Sequence, residues 1–145
     1  MNLVTALIAI AALLAVTVAV GVYLQWRQSR PQRHISHEVV EPQRLGADAL
    51  GEIATLLQFS TEMCARCPGV HRTLSSIADA RDGVRHLDVD LTHRPDIAKL
   101  FHILQTPTTL VLDRDGVIQT RFGGTPSRDV LELELNRLTA EDANV

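Results

Sequence analysis

The sequence has few aromatic residues, two cysteines and a small net charge, and each of these properties excludes a kind of structure or partner. Aromatic residues make up only 3% of its 145 positions, so any hydrophobic core must be mainly aliphatic. Two cysteines cannot form a disulfide-rich scaffold. A net charge of −3 gives no reason to expect nucleic acid as a partner. The chain has no internal repeat, and its length suits one small domain.

The N-terminus, in contrast, has a long run of residues without a single charge. It reads "LVTALIAIAALLAVTVAVGVYL", from Leu3 to Leu24. As a helix this run would be about 33 Å long, enough to cross a hydrocarbon core of about 30 Å. Tyr23 and Trp26 lie at its end, where aromatic rings favour the membrane interface. The run therefore predicts a transmembrane anchor over residues 1–25.

Two other interpretations of this run are less favoured. A cleaved signal peptide would have a basic segment before the apolar run, and the run is too long for a signal-peptide core. A buried helix of a soluble domain would not need so long an uncharged stretch. The arginines that follow the run, with none before it, favour a cytoplasmic position for the rest of the chain, and an extracytoplasmic position is the alternative. These arginines are Arg27, Arg30, Arg33 and Arg44.

Residues 26–44 are polar and show no sustained helical period. Pro31 and Pro42 interrupt them, so the stretch predicts a linker between the anchor and a folded domain. His34 and His37 have a spacing that could suit a metal, but no cysteine or acidic cluster accompanies them. Solvated linker histidines are the favoured interpretation.

The rest of the chain alternates between strand and helix patterns. Short apolar or β-branched runs bounded by turn residues predict strands, and periodic apolar positions predict helices. The predicted strands are Thr55–Phe59, Val84–Asp90, Thr106–Asp113 and Val117–Phe122, and the predicted helices run from Pro68 to about Ala80, over 95–102, and from Pro126 onward. Thr125 is the expected cap of the last helix. The order is β-α-β, then α, then β-β-α.

Cys64 and Cys67 fall between the first strand and the first helix of this domain. A Cys-x-x-Cys in that position of a strand–helix–strand unit favours a redox dithiol. A structural disulfide over so short a loop would contribute little stability. A tetrahedral metal site needs about four ligands, and the chain has only two cysteines. His71 could be a third ligand, but a surface histidine on the helix is the favoured interpretation. Inert thiols are the remaining alternative.

With this context the sequence resembles the thioredoxin family from Leu45 to the last helix. The segments that carry the resemblance are "LLQFSTEMCARC", "VRHLDVD", "TPTTLVLD", "DRDG" and "RFGG". The resemblance implies an α/β fold of three layers with a mixed central sheet, over a domain at 45–140 followed by a tail at 141–145. It also implies a cis bond before Pro107, and no cofactor beyond the redox-active disulfide between Cys64 and Cys67.

The two cysteines have distinct expected roles. Cys64 lies at the exposed mouth of the motif near a helix N-terminus, so it should attack the substrate disulfide. Cys67 should then attack the sulfur of Cys64 and release the reduced substrate. Arg66 adds a positive charge that favours the thiolate. The resemblance implies that Thr106, Pro107 and Gly123 contact an extended substrate segment.

Five positions depart from the family pattern. Ala65 and Arg66 replace the usual Gly-Pro between the cysteines, and Met63 replaces the usual Trp. Gln58 occupies the place of a buried Asp, and His86 that of a nearby Lys. Gln58 cannot accept a proton, so Gln58 and His86 are candidates either for tuning the dithiol or for simple packing. Arg66 and the missing acid favour a less reducing couple than that of thioredoxin.

The sequence thus predicts a membrane-anchored thiol–disulfide oxidoreductase. Its expected partners are protein disulfide or dithiol clients, an unidentified electron donor or acceptor, and the membrane. The alternative function is a binding module of the same fold that holds a client or a metal without redox turnover.

Overall fold

The computed structural model describes residues 2–28 and 36–143, with the backbone alone at 26–28 and 36–38. His34, Arg30, Arg33 and the side chains of His37 and Arg27 lie outside this description. The N-terminal helix and the rest of the chain form two separate units. Each is described by itself.

The first unit is helix α1, Leu3–Gln28. Its apolar side chains are exposed along the whole uncharged run. The segment Leu3–Gln25 has a mean hydropathy of 2.8 and is long enough to cross a membrane. The segment qualifies as a membrane span by its length and composition only, and a signal sequence near an N-terminus has the same properties.

The second unit is a mixed sheet of five strands with helices on both faces. Its elements are β1 Ser36–Val39, β2 Ala54–Ser60, α2 Cys67–Asp79, β3 Val84–Asp90, α3 Pro95–Leu100, β4 Thr108–Asp113, β5 Val117–Gly123 and α4 Arg128–Asp142. The strand order is β1-β5-β4-β2-β3. Only β2 and β3 are parallel, and the other neighbours are antiparallel. The predicted α/β fold with three layers and a mixed sheet is confirmed.

Alternation along the strands divides the core between the two faces of the sheet. Leu56 of β2 faces α2 and α4, where it packs with Leu74 and Leu135. Leu57 faces the opposite side and packs with Phe101 beyond α3. The apolar pattern predicts eight core positions on these helices, and most are buried. Those buried are Val70, Leu74 and Ile77 of α2 and Leu131, Leu135 and Leu138 of α4, while Ala78 and Val130 are half-buried.

Part of the predicted linker is folded, which corrects its extent. Ser36 pairs with Ile118 and Val39 with Val117, so β1 forms the edge of the sheet beside β5. A 3₁₀ helix follows at Pro42–Leu45. The sequence pattern missed the strand because an edge strand is held by backbone hydrogen bonds that any residue except proline can supply.

The ends of α4 also differ from the prediction. The helix begins at Arg128, and its N-cap is Ser127, whose backbone is extended. Pro126 is buried before the helix starts, so Thr125 does not cap it. At the other end α4 includes residues 141 and 142, which the sequence places in the tail. The other domain boundaries stay predictions.

Candidate functional site

The dithiol lies where the chain passes from β2 into α2. Cys67 is the first residue of α2 and Arg66 is its N-cap, so the helix begins one residue before the predicted Pro68. Cys64 precedes the helix by three residues, and its carbonyl accepts the Cys67 N–H at 3.2 Å. The helix N-terminus is thus occupied by Cys67, while Cys64 lies on the turn that leads into it.

Cys64 and Cys67 form a disulfide, and the two residues differ in exposure. Cys67 is buried with 6% of its surface exposed, whereas Cys64 is partly exposed. Both line an open groove, called here the dithiol groove. Its lining residues are Ser60, Thr61, Glu62, Cys64, Cys67, Pro68, His71, Arg72, Asp88 and Asp90. A molecule entering the groove can therefore reach Cys64 more easily than Cys67.

The loop that contains Pro107 lies beside the loop that carries Cys64. Strand pairing sets Phe59 at the end of β2 opposite Thr108 at the start of β4. The hydroxyls of Thr61 and Thr106 are 3.1 Å apart, which joins the two loops directly. The bond between Thr106 and Pro107 is cis, as the resemblance implies.

Gly123, the third predicted substrate contact, ends β5 opposite Thr108. A Cβ atom at this position would meet the far end of the exposed Gln105 side chain, which would have to move aside. Thr106, Pro107 and Gly123 are therefore brought together by β4 and β5. Gln105 is an additional neighbour that the sequence analysis did not single out.

Gln58 is fully buried and reaches the dithiol through its amide. Its Nε2 atom donates to the carbonyl oxygen of Cys67 at 3.1 Å. Its Oε1 atom lies 3.2 Å from Nε2 of His86, and the other ring nitrogen of His86 lies 2.8 Å from the hydroxyl of Ser75. The predicted residues Gln58 and His86 thus belong to one hydrogen-bonded chain that ends at the backbone of Cys67.

His86 is uncharged at neutral pH. Its pKa is lowered from 6.5 to about 4: burial is the largest cause and the neighbouring His71 adds to it, while Asp88 and Asp79 act in the opposite direction. The rings of His71 and His86 meet edge to face with their centres 4.7 Å apart. Desolvation of the imidazolium outweighs the attraction of the two carboxylates.

His71 is a further residue at the site that the sequence analysis treated only as a surface or metal-binding histidine. Its Nδ1 atom lies 3.0 Å from Asp88, which also accepts a hydrogen bond from Ser60. His71 lies four residues after Cys67, so one turn of α2 brings it above the dithiol. Among residues 2–28 and 36–143 there is no group of three or more His, Cys, Asp or Glu side chains that could hold a metal ion.

The fold and the dithiol define a class of protein, the thioredoxin-like disulfide oxidoreductases. A relative of known sequence, thioredoxin H2 of Arabidopsis thaliana, is 26% identical over 115 residues, which cover 78% of this chain and 85% of the relative. No protein-family model matches the chain.

Solved structures agree on the fold. Mitochondrial thioredoxin 3 of Saccharomyces cerevisiae in its oxidised form has a TM-score of 0.52 and 23% identity, covering 59% of this chain and 79% of that one. Thioredoxin-2 of a malaria parasite has a TM-score of 0.54 and 19% identity, covering 59% and 82%. The chain therefore has a thioredoxin-like fold and is similar in sequence to a thioredoxin, in agreement with the resemblance noted in its sequence.

Proposed function

We propose that this protein is a membrane-anchored oxidoreductase that exchanges disulfides with protein clients. The observation that carries the proposal is the disulfide between a partly exposed Cys64 and a buried Cys67 at the start of α2, in an open groove beside the Pro107 loop. One sulfur is accessible to a client and the other is held next to it. This arrangement suits a mixed disulfide that is then resolved internally.

The reaction in the reducing direction has two steps. The thiolate of Cys64 attacks a client disulfide, forming a mixed disulfide and releasing one client thiolate. Cys67 then loses its proton and attacks the sulfur of Cys64, which restores the Cys64–Cys67 disulfide and releases the second client thiolate. Two electrons pass from the dithiol to the client, so a separate donor must reduce the protein again.

Contacts with the client are proposed at Thr106, Pro107 and Gly123. Pro107 has no N–H to donate, and Thr106 before it is partly exposed beside Thr61. An extended client segment could pair with the backbone of Thr106 as an added strand does. Arg66 is exposed at the N-cap of α2, where its charge favours the thiolate form of the dithiol.

Reduction of insulin disulfides tests the oxidoreductase function. The full-length protein in detergent, supplied with dithiothreitol, should accelerate the precipitation of insulin chains. Cys64→Ser should abolish the acceleration. Cys67→Ser, reduced and then freed of dithiothreitol, should accumulate a mixed disulfide with insulin through Cys64. A wild-type protein that binds reduced insulin but does not accelerate its reduction would instead support a binding module without turnover.

The membrane anchor is proposed from the exposed apolar surface of α1. The full-length protein should stay in the membrane fraction after alkaline carbonate extraction, and its N-terminus should be intact. Cleavage after the apolar run would identify a signal sequence instead. The arginines that follow the run favour a cytoplasmic position for the domain, and an extracytoplasmic position is the alternative. Cys64 should therefore resist a membrane-impermeant maleimide in intact cells treated with a permeant reductant, and react after lysis.

A further inference from the structure

The hydrogen-bonded chain behind the dithiol has a single consistent assignment of its protons. The amide of Gln58 donates to the Cys67 carbonyl, so only its oxygen faces His86. Nε2 of His86 must then carry the proton and donate it to Gln58. The other ring nitrogen, Nδ1, keeps a lone pair and accepts from the hydroxyl of Ser75. Reversing the Gln58 amide would set two oxygens against each other at Cys67.

This assignment leaves His86 badly placed to act as a base. Its one free lone pair, on Nδ1, points to Ser75 and not to the dithiol. His86 is also not among the residues that line the dithiol groove, whereas Cys67 is. Gln58 lies between His86 and Cys67 and has no titratable proton. The hydrogen-bonded chain joins His86 to the carbonyl of Cys67 and not to its sulfur, whereas Cys67 lines the open groove. The thiol proton is therefore expected to leave through the groove.

We propose that His86 is a positioning residue for the reaction: through Gln58 it fixes the backbone of Cys67 for attack on Cys64, and it takes no proton itself. This inference rests on the proposed function. The groups that face His86 are His71 and Ser75 of α2, Asp79 at the end of that helix, and Asp88 and Gln58 of the sheet. The neutral state of His86 is consistent with this role, because the low pKa of its ring keeps the donor and acceptor nitrogens distinct above about pH 4.

Ellman's reagent separates the two steps of the reaction in one experiment. The Cys64 thiolate of the reduced full-length protein attacks the reagent, its disulfide breaks, and one thionitrobenzoate leaves. Cys67 then loses its proton to water and attacks the sulfur of Cys64. The Cys64–Cys67 bond forms, the mixed disulfide breaks, and the second thionitrobenzoate leaves. Both releases are followed by absorbance in a stopped-flow instrument, and the first phase depends on reagent concentration while the second does not.

His86→Leu removes the donor to Gln58, and His86→Gln replaces it by an amide that cannot titrate between pH 5 and 9. We expect His86→Leu to slow the second phase about two- to tenfold, the effect of one net hydrogen bond. His86→Gln should restore the wild-type rate. The first phase should be unchanged in both variants, which distinguishes loss of positioning from general unfolding.

The pH profile of the second phase completes the test. It should follow one ionisation, that of the Cys67 thiol, in both the wild type and His86→Gln. The proposal is overturned if His86→Gln is as slow as His86→Leu, if it loses an ionisation that the wild type shows, or if His86→Leu leaves the second phase unchanged. A wild-type protein with no second phase would instead refute the proposed oxidoreductase function.

Discussion

Two polar clusters lie on the same face of the sheet, and they tolerate burial in different ways. Near the dithiol, Gln58 is fully buried and neutral, and it bonds to Cys67 and the uncharged His86. Toward the other end of β4, Glu134 of α4 is buried and charged, and it bonds to Thr120 and Arg137. The hydrogen bonds of the Gln58 cluster join neutral groups, whereas the Glu134 cluster contains an ion pair.

The difference follows from the partners that each position offers. Glu134 has a guanidinium 2.6 Å away, so its negative charge is compensated. Gln58 faces the carbonyl oxygen of Cys67, which repels a carboxylate and attracts an amide. An amide suits both contacts at this position, because its nitrogen donates to the Cys67 carbonyl and its oxygen accepts from Nε2 of His86. A buried polar residue is stable here only when its charge matches the groups it contacts.

The largest effect is expected when the charged cluster is broken. Arg137→Met leaves Glu134 without its closest cation and should lower the free energy of unfolding by about 2–4 kcal/mol, measured by urea denaturation. Arg128→Met is the matched control on the same helix, because its ion pair with Glu132 is exposed and should cost less than about 1 kcal/mol. Equal losses in the two variants would contradict the comparison.

A smaller effect is expected when a charge is placed in the neutral cluster. In Gln58→Glu one carboxylate oxygen would face the Cys67 carbonyl, so burial and this repulsion should raise the pKa of the new group. The folded state is then destabilised as the pH rises above the pKa that the carboxyl group has in the unfolded chain. Urea denaturation at pH 8 should show a loss of about 1–3 kcal/mol relative to the wild type. The loss should shrink at pH 5, and a pH-independent loss would indicate a packing defect instead.

The dependence of folding stability on pH should show a further property of the neutral cluster, through His86. The pKa of His86 is lowered to about 4 in the folded protein, so the unfolded chain binds a proton more readily below pH 6.5. The wild type should therefore lose stability as pH falls from 6.5 towards 4, and His86→Gln should lose less. Thermal melts at pH 7 and 4.5 measure this difference. His93→Gln, which alters an exposed histidine, should retain the wild-type dependence.

The smallest effect is expected for a charge that is exposed. Arg66 stabilises the thiolate and so the reduced form, which makes the couple more oxidising. Arg66→Gln should lower the reduction potential against glutathione by about 10 mV, because solvent screens an exposed charge. Arg81→Gln, just beyond the far end of α2, should leave the potential unchanged. A higher potential in Arg66→Gln would contradict the electrostatic role.

The sequence by itself determined the elements whose signals are local. The uncharged run of α1, the buried strand before Cys64, the apolar positions of α2 and the turn between β4 and β5 all follow from hydrophobic period and turn residues. The position of Cys64 and Cys67 between a strand and a helix was enough to predict the dithiol chemistry. Each of these features depends on residues close together in the chain.

The family resemblance named Gln58 and His86 as candidates, but only the tertiary structure decided how these residues meet the dithiol. Gln58 and His86 are 28 positions apart, and the parallel pairing of β2 with β3 brings them into contact. Strand β1 was hidden because its pairing with β5 depends on backbone groups. Local sequence patterns carry no information on such contacts, since hydrogen bonds between distant residues form only when sheet register and helix packing have set their positions.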